Sequence, residues 1–447
     1  FGNGGTPLTE SWDYDHRYFP EAITLNAGST ALLDWTYTPD GVGNVLEITD
    51  ELTAADSRSF AYSPFHYYLT CAAGPCSPGS DCDPQTGQPY LWTYDTIGNR
   101  ESETDLTGTL NTYHYEPNGS GNSPVLNRID PEPPGGVDFD YFYDATGNLT
   151  QIDRSGNIID FTYTDAGRLE RIERPADSQS VDFTYDGRSF LARAGQPGAL
   201  LLRSPATDLI FEEDFEGGGL PGNWSACVGH PNCGGPPPLG LVALYDSDGL
   251  LHGLTTEIGM STYVFYLAGR PVAQFDADTF QPQWTYLTTD HLGTPVYASD
   301  ASGQEVWQGG FEPFGGDWAG AADAGIFLRL PGQWWDPVWE RASSGADVYY
   351  NVHRWYEYGT GRYTRVDPAA SEVDTFVDAP AQRIALGQVD LENVFRYVFA
   401  NPIAYVDLLG LACSSCDPCP GGIWEFGGAH FEIGLAIGGL AFGGSHT

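Results

Sequence analysis

The chain has 447 residues, 41% hydrophobic and 18% charged, so it can build a core and is not generally disordered. Its formal net charge is −41 and all 19 basic residues are arginines. This charge argues against nucleic acid and anionic membranes as partners, and the lack of lysine excludes a P-loop or a Schiff-base enzyme. The 56 glycines, 32 prolines and 26 tyrosines favour strands and turns over long helices.

The chain carries no stretch that predicts a membrane span. No run of 18 uncharged apolar residues occurs, and the last 20 residues are broken by Gly, Glu and His. Residue 1 is Phe rather than Met, so we expect a processed chain or a piece of a longer one.

One phrase recurs through the first two thirds of the chain: an aromatic residue, a spacer and Tyr, then Asp and Gly, then Leu or β-branched residues. Clear copies begin at Tyr94, Tyr143 and Tyr163. Weaker copies begin at Trp35, Tyr62, Tyr113, Phe183, Tyr245 and Tyr266. The alternation places both rings on one strand face, and Asp and Gly make the turn.

Each copy predicts a hairpin of about 20 residues that cannot bury its apolar face alone. Copies must therefore stack into a continuous sheet that winds as a spiral. The competing interpretation is an ordinary β-sandwich whose Tyr-Asp turns are accidental.

Two loop-like stretches interrupt the repeats, near 71–88 and at 204–241. We expect both to be surface insertions. Little helix is expected anywhere, apart from a single helical turn between Leu391 and Phe399.

Eight cysteines fall in three Gly/Pro/Ser-rich loops. They are Cys71, Cys76 and Cys82; Cys227 and Cys233; and Cys413, Cys416 and Cys419. Cysteines five or six apart can close small disulfides, which implies an oxidising compartment. The last group could instead hold zinc or an iron–sulfur cluster together with His430, but a fourth ligand at normal spacing is missing. Disulfides are favoured, and we expect no metal site and no other cofactor.

Four motifs follow one another in the last third of the chain. They are Thr289 to Pro295, Phe311 to Gly315, Tyr349 to Pro368 and Asn401 to Leu411. In this order they resemble the Rhs repeat-associated core domain, and the upstream phrase resembles the YD repeat of the same proteins, which include polymorphic toxins and toxin-complex shells.

The resemblance implies an all-β fold: a spiral of YD-repeat hairpins forming a shell-like sheet closed by an Rhs core domain. It divides the chain into a repeat region at 1–285, the core at 286–411 and a variable tail at 412–447.

The resemblance also implies a self-cleavage site of the aspartyl type. Arg354 to Pro368 matches the family phrase R-Y-Y-D-x-x-T-G-R-[YF]-x-x-x-D-P, and its leading Arg stands 13 residues before its Asp. Arg354 and Asp367 thereby take the first two roles. Asp407 takes the third, and the bond to be cut joins Leu411 to Ala412.

This chemistry is also reasonable without the resemblance. Two carboxylates held close together share a proton, so that one can activate water while the other protonates the leaving amine. An arginine can orient a carboxylate or stabilise the oxyanion. The alternative is that both aspartates are turn or cap residues and Arg354 is their salt-bridge partner.

Two departures from the family pattern concern this site. Leu408 stands where the family has Pro, and 40 residues separate Asp367 from Asp407 because of an insertion around 369–388. The cutting would be a single-turnover event, and we expect no activity on foreign substrates.

The sequence therefore predicts a secreted or cell-surface shell protein that encloses and releases its own C-terminal segment as cargo. Further partners would be copies of itself or a secretion apparatus. The alternative is a structural surface or filament protein in which the core is an inert plug. The short tail and the small number of hairpins support this alternative.

Overall fold

The structure is a computed structural model that describes residues 8–74, 82, 89–116, 123–132, 136, 138–195, 240–256, 261–277, 282–343, 346–368 and 393–411. These residues form a 23-stranded antiparallel sheet, a small three-stranded sheet and one short α-helix. The all-β prediction is confirmed. Among these residues no helix is long and apolar enough to cross a membrane.

The large sheet is a meander in which every strand pairs with the next one in sequence. Its first ten strands are β1 (Leu8–Tyr14), β2 (Pro20–Ala27), β3 (Thr30–Pro39), β4 (Val45–Asp50), β5 (Arg58–Tyr62), β6 (Leu69–Ala73), β7 (Tyr90–Tyr94), β8 (Arg100–Thr104), β9 (Leu110–Tyr115) and β10 (Leu126–Glu132).

Its remaining strands are β11 (Phe139–Tyr143), β12 (Leu149–Arg154), β13 (Asn157–Tyr163), β14 (Leu169–Arg174), β15 (Gln179–Tyr185), β16 (Leu191–Gly195), β17 (Gly240–Tyr245), β18 (Leu251–Thr256), β19 (Ser261–Leu267), β20 (Arg270–Asp276), β21 (Gln283–Thr289), β22 (Pro295–Asp300) and β23 (Glu305–Gln308). β16 pairs directly with β17, and β6 with β7, so both predicted insertions leave the meander unbroken.

The sheet curls without closing into a barrel. In the described part of the chain, no pairing joins β1 to β23. Side chains nevertheless bring the first strand back to the last ones. Thr288 Oγ1 donates to Glu10 Oε2 at 3.3 Å, and the Arg270 guanidinium lies 4.3 Å from the ring centre of Trp12. One face of the sheet is therefore enclosed.

An aspartate organises nine turns of the large sheet, including most of the YD turns. In the copy at Tyr143, Asp144 Oδ1 accepts the backbone N–H groups of Thr146 at 2.8 Å and Asn148 at 3.0 Å. The same pair of bonds recurs at Asp15, Asp40, Asp95, Asp105, Asp186, Asp246, Asp290 and Asp300. Burial alone would raise the pKa of Asp144, but these bonds and one from the Asn148 side chain outweigh it and lower that pKa.

The tyrosines that precede these turns line the enclosed face. Tyr143, Tyr163, Tyr185, Tyr245 and Tyr266 all pack against one apolar core. Each tyrosine lies at a register shift, the geometry of a β-bulge, at the last or next-to-last residue of its strand. The Tyr185 hydroxyl donates to the Leu169 carbonyl at 2.8 Å and so ties its hairpin to the preceding one.

The described residues between 309 and 411 (309–343, 346–368 and 393–411), here called the inner layer, pack against this enclosed face. Their regular elements are α1 (Pro337–Ser343), β24 (Val348–Asn351), β25 (Arg354–Glu357) and β26 (Arg362–Tyr363). The core joins sheet residues such as Ile152 and Phe183 to Trp339 and Trp355 of the inner layer. The sheet is thus wrapped around a buried aromatic cluster.

The inner layer also covers the turn end of the sheet. Arg396 donates to the Ile97 carbonyl at 3.2 Å and Asn401 donates to Asn44 at 3.1 Å. The large sheet itself ends with β23 at Gln308.

The predicted helical turn between Leu391 and Phe399 is wrong for its described residues, 393–399. A 3₁₀ turn occupies Val398–Ala400 instead, with positive φ at all three residues. The preceding carbonyls are used by the neighbouring segment: Phe395 accepts from Tyr363 N at 2.8 Å and Val394 accepts from Asp367 N at 3.1 Å. Two further 3₁₀ turns lie at Ala54–Asp56 and Pro175–Asp177.

Candidate functional site

Arg354, Asp367 and Asp407 come together in the inner layer. Arg354 Nη2 lies 3.0 Å from Asp367 Oδ2 and 3.0 Å from Asp407 Oδ2. All three side chains are almost fully buried, with 3%, 6% and 6% of their surface exposed. Two carboxylates therefore face one guanidinium nitrogen in a site that excludes bulk water.

Three local structures position this group. Arg354 begins β25, directly after the tight turn that joins β24 to β25 and holds Val352 at a φ of +44°. Asp367 follows β26, and its backbone N–H is anchored on Val394. Asp407 lies in the last irregular segment, where the amide of Asn351 donates to its backbone carbonyl at 2.9 Å.

The carboxylate of Asp407 accepts three hydrogen bonds. Oδ2 accepts from Arg354 Nη2 at 3.0 Å and from the Tyr363 hydroxyl at 2.6 Å. Oδ1 accepts from the backbone N–H of Leu411 at 3.0 Å. The carboxylate is thus tied directly to the residue that precedes the bond predicted to be cut.

The turn between β24 and β25 and the start of β25 hold the backbone of residues 407–411 through hydrogen bonds. His353 N donates to the Leu409 carbonyl at 3.0 Å, and Arg354 Nε donates to the Gly410 carbonyl at 2.6 Å. The peptide that joins Gly410 to Leu411 is therefore held at both its carbonyl and its N–H.

Two close backbone contacts of residues 407–411 require glycine. Gly410 has a φ of +63°, and a Cβ there would lie 2.2 Å from the Asn351 carbonyl oxygen. On the opposite side, a Cβ on Gly332 would lie 2.3 Å from the Leu408 carbonyl oxygen. The backbone of residues 407–411 therefore lies in direct contact with the backbone at Asn351 and at Gly332. This arrangement, here called the backbone sleeve, leaves no room for a side chain at Gly410 or Gly332.

Burial raises the pKa of Asp407 above its usual value. The charge of Arg354 and the hydrogen bond from Tyr363 oppose this rise, while the charge of Asp367 adds to it. Burial and the neighbouring carboxylate thus both favour the protonated form of Asp407. This is the protonation state that acid–base hydrolysis of a peptide needs.

A neutral histidine lies beside the site. Burial, followed by the charges of Arg168, Arg365 and Arg354, lowers the pKa of His353 to about 4. Its Nδ1 lies 2.7 Å from Arg168 Nη2, a contact that suits an uncharged ring accepting a hydrogen bond. His353 therefore adds no charge to the site at neutral pH.

The remaining predicted residues are placed as follows. Cys71 and Cys82 form a disulfide with a Cα–Cα distance of 6.0 Å. Leu408 is 46% exposed. Ala412 and the other candidate cysteines lie outside the described residues: Cys76, Cys227, Cys233, Cys413, Cys416 and Cys419. No group of three His, Cys, Asp or Glu residues that could hold a metal ion occurs within the described ranges.

Sequence reasoning missed three residues at this site: Asn351, Tyr363 and Gly332. Tyr363 lies inside the matched phrase, nine residues after Arg354, and its place at the [YF] position of that phrase was a signal that the sequence offered. Asn351 and Gly332 contact the backbone of residues 407–411. No local sequence pattern predicts such contacts between distant segments.

Comparisons with known proteins agree with the repeat pattern. A family model described as RHS Repeat matches residues 143–179, the tandem copies at Tyr143 and Tyr163. The chain is 27% identical over 238 residues to Toxin protein Tse5 of Pseudomonas aeruginosa; the match covers 51% of this chain and 17% of that protein. The chain thus carries an RHS repeat match at residues 143–179 and is similar to a toxin protein over about half of its length.

The fold resembles that of a solved complex. The crystal structure of TcdB2-TccC3-Cdc42 matches with a TM-score of 0.51 at 16% identity, covering 91% of this chain and 18% of that chain. The present chain therefore spans less than a fifth of either relative, and the likeness in structure concerns the fold, a shell-like antiparallel sheet.

Proposed function

We propose that this chain forms part of a toxin-type shell and cuts itself after Leu411 to free the C-terminal segment that the shell encloses. The observation that carries the proposal is the single Arg354 nitrogen at 3.0 Å from both Asp367 and Asp407, next to a backbone held at Gly410 and Leu411. A buried pair of carboxylates around one cation is costly to a fold, so a chemical role is a physical reason for its presence.

The proposed reaction is a hydrolysis by two carboxyl groups. Asp367 takes a proton from water as the water oxygen attacks the Leu411 carbonyl carbon. Asp407 in its protonated form gives its proton to the Ala412 nitrogen, and the C–N bond breaks. The products are a carboxyl group on Leu411 and an amine on Ala412. Afterwards Asp367 holds the proton and Asp407 is charged, which suits a single turnover.

The backbone sleeve determines which peptide bond is placed beside the two carboxylates. Because the Gly410–Leu411 peptide is fixed at both its oxygen and its nitrogen, the following bond has little freedom to slide past the carboxylates. Fixing a reacting group in this way converts an unfavourable encounter into an intramolecular step. Leu408 lacks the stiff φ of Pro, so we expect cutting to be slower than with Pro at this position.

We propose that the protein is secreted or displayed on the cell surface, that its cargo is residues 412–447, and that it assembles with other toxin-complex components. Support comes from the likeness to Tse5 and to the TcdB2-TccC3-Cdc42 fold. An inert inner layer in a surface or filament protein is the competing function.

A time course of purified full-length chain on a denaturing gel tests the cut. Wild type should convert into two pieces, whereas Asp367→Asn and Asp407→Asn should stay intact because each keeps the shape and removes one carboxyl group. The matched control is Asp317→Asn, since Asp317 also faces a buried arginine, Arg329 at 3.5 Å, outside the site.

The control should be cut as fast as wild type. Leu408→Pro should be cut faster. If wild type and Leu408→Pro both stay whole, the inner layer is inert and the filament or surface function replaces the proposal.

A further inference from the structure

Asp407 is held by a side chain outside the proposed catalytic group. The hydroxyl of Tyr363 lies 2.6 Å from Asp407 Oδ2, and the tyrosine is 2% exposed. A contact this short between a hydroxyl and a carboxylate oxygen falls in the range of charge-assisted hydrogen bonds.

The direction of this hydrogen bond is fixed by Asn351. The Asn351 amide nitrogen lies 2.9 Å from the backbone carbonyl of Asp407, which can only accept, so this nitrogen is the donor. The same nitrogen lies 2.9 Å from the Tyr363 oxygen. Tyr363 therefore accepts from Asn351, and its own proton is directed to Asp407.

The ring of Tyr363 cannot move away from this position. The Arg354 guanidinium carbon lies 3.5 Å from the ring centre, and the rings of Tyr356 and Tyr397 pack around it at 5.7 Å and 5.9 Å. Burial, with the charge of Asp407, raises the pKa of Tyr363 well above its usual value. The hydroxyl consequently stays protonated at neutral pH and can donate a hydrogen bond.

We propose that Tyr363 is a positioning residue that fixes the orientation of Asp407 and sets how readily Asp407 releases its proton. Its effect on the rate of cutting rests on the proposed function; its effect on Asp407 itself does not. The charged groups that act on Asp407 are Arg354 and Asp367, and Arg354 in turn acts on His353 and Arg365.

The sign of the effect follows from the direction of the bond. The Tyr363 hydrogen bond stabilises charged Asp407, so Tyr363→Phe should raise the pKa of Asp407 by about one unit, the worth of one charge-assisted bond. The limb of the pH–rate profile that reports Asp407 should move to higher pH by the same amount. At neutral pH the cutting rate should fall about tenfold, because Asp407 also loses its fixed orientation.

Two measurements on the full chain test this inference. The first is the pH–rate profile of cutting for wild type, Tyr363→Phe and the control Tyr356→Phe. The Tyr356→Phe substitution removes a comparable buried hydroxyl. In wild type this hydroxyl donates to the Phe314 carbonyl at 2.9 Å rather than to Asp407. We expect a displaced limb for Tyr363→Phe alone. Profiles that superimpose for all three would overturn the inference.

The second measurement does not need cutting. In an Asp367→Asn background, the Asp407 carboxyl carbon is followed by NMR through a pH titration, with and without Tyr363→Phe, and assigned by its loss in Asp407→Asn. A rise of about one unit in the Asp407 pKa supports the inference even if wild type is never cut. An unchanged Asp407 pKa contradicts it whatever happens to the proposed self-cleavage.

Discussion

Arg354 and Asp407 are 53 residues apart in sequence, yet Arg354 Nη2 lies 3.0 Å from Asp407 Oδ2. The same nitrogen lies 3.0 Å from Asp367. One buried cation thus compensates two buried carboxylates and joins the β24–β25 hairpin to residues 407–411. The candidate site and the stability of the inner layer consequently depend on the same contact.

Removing this cation should strongly destabilise the protein. Arg354→Met should lower the free energy of unfolding by roughly 3–5 kcal/mol, because it leaves buried carboxylates without a partner. The measurement is urea unfolding followed by tryptophan fluorescence. The matched control is Arg17→Met, whose pairing with Asp15 is solvent-exposed and should cost less than about 1 kcal/mol. Equal losses for the two variants would contradict a special role for Arg354.

Glu357 should make stability depend on pH. Burial raises its pKa from 4.5 to about 7 against hydrogen bonds from Tyr141 and Thr360. Because the folded state binds this proton more tightly, the stabilisation is complete below pH 4.5 and disappears as the pH rises through 7. Relative to wild type, Glu357→Gln should gain on the order of 3 kcal/mol between these limits.

Unfolding curves of wild type and Glu357→Gln across this range measure the effect. The control Glu51→Gln changes an exposed glutamate that accepts from Thr36 at 2.9 Å. It should track wild type at every pH. A difference between wild type and Glu357→Gln that does not change with pH would show that Glu357 is charged in the folded protein.

The aspartate of a YD turn should stabilise its hairpin. Asp144→Ala should cost about 1–2 kcal/mol, since two backbone N–H groups and the Asn148 side chain lose their acceptor. The folded-state pKa of Asp144 is lowered, so this advantage is present above its ordinary value and is lost as the pH falls through the folded pKa.

Thermal unfolding at neutral and acidic pH measures the Asp144 effect. Asp165→Ala is the matched control, because Asp165 is exposed in the next turn, where Thr164 Oγ1 accepts the backbone bond from Arg168. A cost for Asp144→Ala no larger than that of the control would count against the aspartate-centred turn.

The backbone sleeve should not tolerate a side chain at Gly410. Gly410→Ala places a methyl group 2.2 Å from the Asn351 oxygen at a positive φ and should cost more than about 2 kcal/mol. Gly359→Ala is the control, because its added Cβ meets nothing within 4 Å. Denaturant unfolding compares them, and a Gly410→Ala protein as stable as the control would rule out the sleeve.

Much of the fold was predictable because its information is local. One YD copy carries its instructions within five positions: Tyr143 ends the strand, Asp144 is the acceptor of the turn and Gly147 adopts the positive φ. The enclosed tyrosine face follows from the alternation before each turn. The bulge before each tyrosine and the return of β1 to β20 and β21 were not predictable, since they depend on twist accumulated over many strands.

The candidate site was predictable only in part. The motif match identified Arg354, Asp367 and Asp407 as candidates, and their side chains lie together in the structure. The contributions of Asn351 and Tyr363 arise from a hydrogen-bond relay between segments distant in sequence. The expected helical turn near Phe399 failed because its carbonyls serve β26 and the segment after it, a tertiary contact that apolar spacing does not report.

The most direct test of the central claim is the intact mass of the purified full-length chain. Self-cleavage after Leu411 predicts two species, one ending at Leu411 and one beginning at Ala412, whose masses sum to the whole chain plus one water. Asp367→Asn should give one uncut mass under the same conditions. A single uncut mass for wild type after prolonged incubation, or a cut of equal extent in Asp367→Asn, would contradict the account.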